Sequence, residues 1–348
     1  MQKDKISEKC IFSRRDFLKF SGISAGALAT SSIGTTSFGA ISDIYPAKKI
    51  TFIVPHQPGG GHDIYVRTIS PYISKYLKEL SRGCKGGDIV IKNEAAAGGR
   101  KGHALLFNSK PDGYTLAVMD TAPITENLIS TNNEFDYTKL VFLLLGSTIT
   151  KLVVTSRNAY SSWNDVMIAQ KKEILKLGVA QYGRANHIVA IIMNEKLGTK
   201  FRIIPFVGSA DSHNALMRGD VTLAVVAEDA SMGLISAKEV KVLLTFTEVS
   251  EYPGAVSIKD LGHPELADQL NNHRFIVTPP GLPAGPKALL LESIKRATMD
   301  KEYIAAATKA NFHLKRTYGR DAEKAYLQLI KFYDGLAPAL KKYLVDKP

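Results

Sequence analysis

A glycine-rich loop between a predicted strand and a predicted helix is the segment of this sequence best suited to bind an anion. The loop reads Pro-His-Gln-Pro-Gly-Gly-Gly-His-Asp over residues 55–63 and follows an apolar strand predicted at 49–54. Three consecutive glycines allow positive φ angles and place no Cβ between a ligand and the main chain. The following helix N-terminus adds unsatisfied N–H groups and about half a positive charge. A carboxylate or a phosphate would bind at such a loop.

Spacing rules out two other ligands for this loop. A dinucleotide fingerprint needs G-x-G-x-x-G with an acidic residue about 20 residues later, and a Walker loop needs G-K-[ST]. Neither pattern is present. The remaining alternative is a tight strand-to-helix turn that binds nothing, since such turns often need glycine. The predicted ligand contacts of the loop are His56, Pro58, Gly59, Gly60, Gly61, His62 and Asp63.

The other reactive residue types show no spacing typical of catalysis or metal binding. The eight histidines contain no H-E-x-x-H or other paired ligand spacing, so no metal site is predicted. We interpret His56 and His62 as hydrogen-bonding groups that face the ligand. No G-x-S-x-G elbow, Cys/His pair or close carboxylate pair follows a predicted strand. We therefore expect no enzyme activity and no cofactor, with an α/β enzyme as the alternative.

The elements around the loop alternate between strands and helices, which predicts an α/β fold with mainly parallel sheets. The first series has strands at 49–54, 89–92 and 114–119 and helices at 63–80, 100–108 and 121–130. The second has strands at 152–155, 177–180, 202–205, 223–226 and 240–246 and helices at 186–197 and 211–217. Residues 142–145 would lead into the second unit, and the chain would return near 275–277. Segment 286–344 is predicted to be helical, with Gly319 between its two parts.

The second unit repeats the strand, turn and helix arrangement. Its strand at 177–180 is followed by Gly183, which permits a tight turn, and by a helix from Asn186 onwards. Two helix N-termini would then bracket one anion in a cleft between the units. Each terminus contributes about 0.3–2 kcal/mol, whereas micromolar binding requires about 8 kcal/mol. Side chains that line the cleft must therefore supply most of the affinity and decide selectivity.

The N-terminus resembles a twin-arginine export signal. Residues 13–19 read Ser-Arg-Arg-Asp-Phe-Leu-Lys, and a weakly apolar stretch rich in Gly, Ser, Thr and Ala follows to residue 40. The alternative, a transmembrane anchor, is disfavoured because serines and threonines interrupt this stretch. Small residues near position 40 permit cleavage, which would leave a mature chain of about 308 residues in the periplasm.

Composition excludes several classes of protein. The 348 residues carry a formal net charge of +12, but the lysines are scattered and no basic patch interleaved with aromatics is present, so nucleic acid is not an expected partner. No apolar run long enough to span a bilayer follows the signal. Cys84 is the only cysteine after the signal, so no intramolecular disulfide can form.

Motifs along the mature chain resemble the substrate-binding proteins of tripartite tricarboxylate transport systems, also called Bug receptors. The resemblance covers residues 45–340 and begins with Tyr-Pro-Ala-Lys-Lys-Ile-Thr-Phe-Ile-Val-Pro from Tyr45, followed by the glycine loop at the family's position. Further matches are Asn93 with Gly98, Gly99 and Gly102, Pro-Asp-Gly-Tyr-Thr-Leu at 111–116, Gln-Tyr-Gly through His187 at 181–187, Pro-Phe-x-Gly-Ser-Ala at 205–210, and Gly-Asp-Val at 219–221.

The resemblance implies a two-lobed periplasmic binding protein fold of type II-like architecture that closes on its ligand. Lobe one would comprise 45–145 and 276–348, and lobe two 146–275. The loops at 55–63 and 181–187 would grip carboxylate oxygens of a small organic acid, and membrane subunits of a transporter would be the partner of a monomeric receptor. The predicted contacts beyond the first loop are Thr121, Gln181, Tyr182, Gly183, Arg184 and Ala185.

The sequence departs from the family pattern at residues that would line the cleft. The family usually has an aromatic residue at His56, a threonine or serine at His62, and Thr-Pro at Arg184 and Ala185. Arg184, and Arg100 from the first lobe, would offer a carboxylate a charged partner, with a solvated arginine as the alternative. Tyr182 would stack on the ligand. A receptor that reports to a membrane sensor is the alternative to one that delivers to a transporter.

Overall fold

The computed structural model describes residues 45–81, 84–129 and 135–344. The predicted export signal over residues 1–40 lies outside the described residues. Among the helices of the described ranges, none combines the length and the apolar character needed to cross a membrane.

Strands and helices alternate along most of the described chain. The strands are β1 (Ile50–Val54), β2 (Ile89–Asn93), β3 (Thr115–Met119), β4 (Val141–Ile149), β5 (Lys151–Ser156), β6 (Lys176–Ala180), β7 (Arg202–Phe206), β8 (Leu223–Ala227), β9 (Val240–Thr245), β10 (Val256–Ser257), β11 (Asn272–Thr278) and β12 (His313–Tyr318). The helices are α1 (Gly61–Leu80), α2 (Arg100–Phe107), α3 (Ala122–Ile129), α4 (Trp163–Ala169), α5 (Ala185–Lys196), α6 (Ser209–Arg218), α7 (Glu228–Ser236), α8 (Ala284–Met299), α9 (Lys301–Lys309) and α10 (Arg320–Leu344).

The first sheet has the strand order β12-β4-β11-β3-β1-β2. Strand β1 is parallel to both β2 and β3. Its apolar residues are buried, and those on one face pack with α1; Phe52 and Ile69, both without exposed surface, are examples. Because β1 and β3 are parallel, the glycine loop after β1 and residues 120–121 after β3 meet at one edge of the sheet, where ligands bind in α/β proteins.

The second sheet has the order β10-β9-β5-β8-β6-β7. Strand β6 is parallel to β7 and β8, so the loop at 181–184 and the start of α7 leave the same edge of this sheet. Strand β5 is antiparallel to β8 and pairs Lys151 with Ala227. The first residue of β5 therefore lies beside the N-terminus of α7.

The chain passes between the sheets in two places. Strand β4 of the first sheet ends at Ile149, and β5 of the second begins at Lys151; the chain returns between β10 and β11. Helix α10 packs against both α3 and α5, so it contacts both units. The division into 45–145 with 276–348 and 146–275 stays a prediction. Strands β4 and β11 extend across its boundaries, and they pair with each other there, as Leu145 does with Phe275.

The predicted class of two α/β lobes is confirmed. Both sheets are mixed, since β11 is antiparallel to β3 and β4, β12 to β4, and β5 to β8 and β9. Among the described strands, β5 runs against the other five of the second sheet, and β11 and β12 run against the other four of the first. Strands β5 and β11 each follow a crossing between the sheets, which βαβ reasoning does not anticipate. Strand β12 also interrupts the segment predicted to be helical. It begins after Asn311 at φ 54° and ends before Gly319 at φ 53°.

Candidate ligand-binding site

The glycine loop joins β1 to α1, and a hydrogen bond to the Asp63 carboxylate holds it in place. Gly59 has a φ of 77°, which favours glycine, and its N–H donates to Asp63 Oδ2 over 2.8 Å. Arg67 Nε donates to the same oxygen over 2.8 Å, and Asn93 Nδ2 donates to Oδ1 over 2.9 Å. Asp63 is 2% exposed. The carboxylate that was predicted to contact the ligand therefore holds the shape of the loop.

Gly61, at the end of the loop, lies where α1 approaches the N-terminus of α7. Gly60 is the N-cap of α1 and Gly61 is its first residue, while Pro58 is exposed. A Cβ built on Gly61 would lie 2.5 Å from Arg274 Nη2 and 2.7 Å from Asp229 Oδ2. Only glycine permits this approach.

Arg274 and Asp229 form an ion pair between a strand of the first sheet and a helix next to the second. Arg274 Nη2 on β11 donates to Asp229 Oδ2 in the first turn of α7 over 2.7 Å. The Arg274 side chain is 1% exposed, and its guanidinium carbon lies 4.9 Å from the ring centroid of Phe312. Its Nε and Nη1 have no hydrogen-bond partner among the described residues. A buried guanidinium with free donors is a strong candidate for a carboxylate partner.

Lys151 is a second buried cation at the same place. It is 2% exposed, and its Nζ donates to Asn186 Oδ1 in the first turn of α5. Burial lowers the pKa of Lys151 to about 8; Asp229 and Asp120 oppose this change, whereas Arg274 adds to it. Acidic groups from both sheets thus act on one ammonium group.

Two histidines and an aspartate lie beside the glycine loop. The rings of His56 and His62 stack with centroids 3.9 Å apart, and Asp120 Oδ2 lies 3.6 Å from His56 Nε2 and 3.7 Å from His62 Nε2. Burial lowers the pKa of both histidines. Burial opposes ionisation of Asp120, yet the histidines and the Ala122 N–H hold its pKa below the ordinary value. Thr121, predicted to contact the ligand, is 2% exposed.

The loop of the second lobe is formed by residues 181–184, before α5 begins at Ala185. Gln181 has a φ of 58°, and its N–H donates to Phe206 O over 2.8 Å. The N–H of Gly183, at φ 70°, donates to His187 Nδ1 over 2.8 Å. Tyr182 packs on the His187 ring and is 59% exposed. His187 therefore fixes the turn, and contact of Tyr182 with a ligand stays a prediction.

Arg184 crosses the cleft in the structure. Its Nη1 lies 2.6 Å from Glu126 Oε1 on α3, and its Nη2 donates to Gly98 O. In the structure it therefore links the second loop to α3 and to Gly98, and its contact with a ligand stays a prediction. Arg100 is exposed at the start of α2.

Sequence reasoning missed four charged residues of this site: Asp120, Lys151, Asp229 and Arg274. Asp120 had a usable signal, because it directly follows the predicted strand at 114–119, at the end where α/β proteins bind ligands. Lys151 and Arg274 are single charges next to or within apolar runs, and such placement indicates a specific partner.

Two α/β lobes whose helix N-termini and buried charges meet at one interface define a two-lobed solute-binding receptor. The chain matches the tripartite tricarboxylate transporter family receptor (TctC) over residues 74–324, and it belongs to this family. The family assignment made from the motifs is thereby confirmed.

Individual relatives are distant in sequence and similar in fold. Protein BugT of Bordetella pertussis is 25% identical over 274 residues, which cover 76% of this chain and 81% of BugT. A Rhodopseudomonas palustris protein solved with adipate has a TM-score of 0.72 at 18% identity, covering 85% of this chain and 98% of the other. MatC from the same organism, solved with malate, has a TM-score of 0.67 at 18% identity, covering 85% and 100%.

Proposed function

We propose that this protein captures a small organic acid between its lobes and delivers it to the membrane subunits of a tripartite transporter. The observation that carries the proposal is the pair of buried cations, Lys151 and Arg274, at the interface between the lobes. The helix N-termini that carry Gly61 and Asn186 lie against them, the first beside Arg274 and the second beside Lys151. Similar folds have been solved with adipate and with malate.

The unpaired donors of Arg274 favour an acid over a neutral or cationic solute. Arg274 has one ion pair and two donor nitrogens without a partner in the described part of the chain. Each unsatisfied buried donor destabilises the free protein by about 1–3 kcal/mol. A carboxylate that accepts hydrogen bonds from these donors removes this penalty, so binding becomes more favourable by that amount. This term, added to two helix termini, accounts for a large part of the roughly 8 kcal/mol that micromolar binding needs.

In the cell, the receptor works as a periplasmic monomer, reaches that compartment by the twin-arginine pathway, and returns its ligand unchanged.

Calorimetric titration with adipate, malate and a set of monocarboxylates and amino acids tests binding. Mass analysis of the acid after long incubation tests turnover. Absence of binding for every acid would overturn the proposal, and a changed acid would make the protein an enzyme.

We expect the affinity for a dicarboxylate to fall as pH rises above about 8. Lys151 is protonated below its pKa of about 8, and a carboxylate binds the ammonium form. Above that pH the free protein has lost the proton, so binding must take one up, and affinity falls by up to about tenfold per pH unit. The charged groups that act on Lys151 are Asp229, Asp120 and Arg274. Calorimetry with adipate between about pH 7 and 9.5 measures the slope.

The control for the pH dependence is Lys151→Met. This variant should bind more weakly at neutral pH and show a flat profile over the same range. A flat profile in the wild-type protein would exclude Lys151 as the charge partner of the acid.

We expect the double variant Arg14→Lys, Arg15→Lys to accumulate in the cytoplasm as an uncleaved precursor. The export system that this signal resembles reads both guanidinium groups, which an ammonium group does not replace. Cell fractionation with immunoblotting measures the distribution. Lys9→Gln, which leaves the arginine pair intact, is the control. Periplasmic accumulation of the double variant at wild-type level would contradict the twin-arginine assignment.

A further inference from the structure

Three potential metal ligands converge beside the glycine loop without bonding to one another. The Nε2 atoms of His56 and His62 and a carboxylate oxygen of Asp120 all lie within 4.8 Å of each other. The separations of 3.6 and 3.7 Å between Asp120 Oδ2 and the two Nε2 atoms exceed hydrogen-bond length. Neither Nε2 has a hydrogen-bond partner in the described ranges. His62 is 8% exposed, so its free nitrogen is a buried group that needs a partner.

A backbone hydrogen bond orients Asp120 towards the two histidines. The N–H of Ala122 donates to Asp120 Oδ1 over 2.8 Å, which leaves Oδ2 on the side of the histidines. The two imidazole rings stack with centroids 3.9 Å apart at an interplanar angle of 10°, so one ring must rotate before both Nε2 atoms can bind the same cation. Supporting hydrogen bonds of this kind orient the ligands of protein metal sites.

The ligand set suits a divalent transition-metal cation. Two imidazoles and one carboxylate bind Zn²⁺ and similar cations with open positions for further ligands. Metal–ligand bonds of about 2.0–2.1 Å give a tetrahedron with edges of about 3.3 Å. The two distances from Asp120 Oδ2 to the histidine Nε2 atoms, 3.6 and 3.7 Å, exceed such an edge by a few tenths of an ångström.

We propose that His56, His62 and Asp120 form a binding site for a divalent transition-metal cation, and that carboxylate oxygens of the bound acid complete its coordination. The second half of the proposal rests on the proposed function. Arg274 and Lys151 are balanced by Asp229 and Asp120, so the cation adds its full charge to the cleft. A dicarboxylate neutralises that charge, which makes a metal–dicarboxylate complex the ligand class of the receptor.

The metal site is tested with the metal alone, on full-length mature protein without a polyhistidine tag. After removal of metals by a chelator, Co²⁺ titration followed by visible absorption should give one equivalent of coordinated cobalt, and calorimetry should give the same stoichiometry for Zn²⁺. His62→Ala and the isosteric Asp120→Asn should each weaken binding by more than the roughly 10–100-fold lost with a supporting partner. His263→Gln, a histidine paired with Glu265 outside the cluster, should leave it unchanged. Circular dichroism verifies the fold.

Absence of cobalt bands and of zinc heat in folded wild-type protein would overturn the metal site. Undiminished binding by folded Asp120→Asn and His62→Ala would also overturn it, because the metal would then lie elsewhere.

Coordination of the metal by the bound acid is tested by titrating adipate and malate in the presence of chelator and again with one equivalent of Zn²⁺. We expect at least a tenfold gain in acid affinity with zinc, and by linkage the same gain in zinc affinity with acid. Equal acid affinity under both conditions would overturn the metal–acid complex while the proposed function stands. If neither of these acids nor any other acid of the wider set binds under either condition, the proposed function fails, and the cobalt titration alone decides the metal site.

Discussion

Arg274→Met should lower the affinity for the acid by roughly 30-fold or more while the protein remains folded. Truncating one member of a buried, hydrogen-bonded charge pair costs about 2–5 kcal/mol in binding. In this site the loss has two parts, since the Nε and Nη1 donors disappear and the Asp229 carboxylate remains, without its cation, beside the incoming acid. The repulsion between two carboxylates adds to the missing hydrogen bonds. Calorimetry with adipate or malate measures the change.

A second variant separates binding from stability. Arg274→Met also leaves Asp229 uncompensated in the folded protein, so the free energy of unfolding should fall by up to about 3–5 kcal/mol. The double variant Arg274→Met, Asp229→Asn removes the orphaned charge, and we expect it to regain stability in urea denaturation without regaining affinity. Arg296→Met, at an exposed arginine paired with Glu292, is the matched control. Wild-type affinity in folded Arg274→Met would show that the acid binds elsewhere.

The strands could be predicted because their apolar runs are bounded by turn residues. The run predicted at 49–54 is observed as Ile50–Val54, and the one at 177–180 as Lys176–Ala180. Strand direction was not predictable in the same way. Whether β11 runs parallel or antiparallel to β3 depends on the crossings between the sheets, and no local pattern encodes these.

In the candidate site too, local features could be predicted from the sequence and contacts between remote residues could not. The glycine loop was recognised because Gly59 and the helix start at Gly61 are local features. The partners of the buried cations are remote: Arg274 and Asp229 are 45 positions apart, and Lys151 and Asn186 are 35 apart. The first pair forms where the two sheets meet, and the second forms within the unit of the second sheet, where β5 lies near the helix that follows β6.

Arg184 illustrates how a plausible local interpretation changes in three dimensions. Its position in a loop between β6 and α5 suggested a free guanidinium for the acid. Glu126 on α3 occupies that guanidinium across the cleft at 2.6 Å. Arg184 therefore contributes to the contact between the lobes, and an acid would compete with Glu126 for it.

Gly61→Ala should weaken acid binding by about 5- to 150-fold without destabilising the free protein. The added methyl group would lie 2.5 Å from Arg274 Nη2 and 2.7 Å from Asp229 Oδ2, closer than carbon and these atoms approach in proteins. In an open form of the receptor, Asp229 would be withdrawn and the Arg274 guanidinium could shift. When the lobes close, both must be accommodated, and overpacking of this kind costs about 1–3 kcal/mol.

The free protein should respond in the opposite direction, which makes this variant diagnostic. Alanine is favoured over glycine in a helix by about 0.5–1 kcal/mol, so the melting temperature of ligand-free Gly61→Ala should be unchanged or slightly raised. Small-angle scattering with saturating acid should show less compaction than in the wild-type protein. Gly285→Ala on α8, where a new Cβ has nothing within 4 Å, is the matched control and should bind normally. Full affinity and full compaction in Gly61→Ala would mean that the lobes do not meet at Gly61 in the bound state, and the site would then have to be built without the contact between α1 and α7.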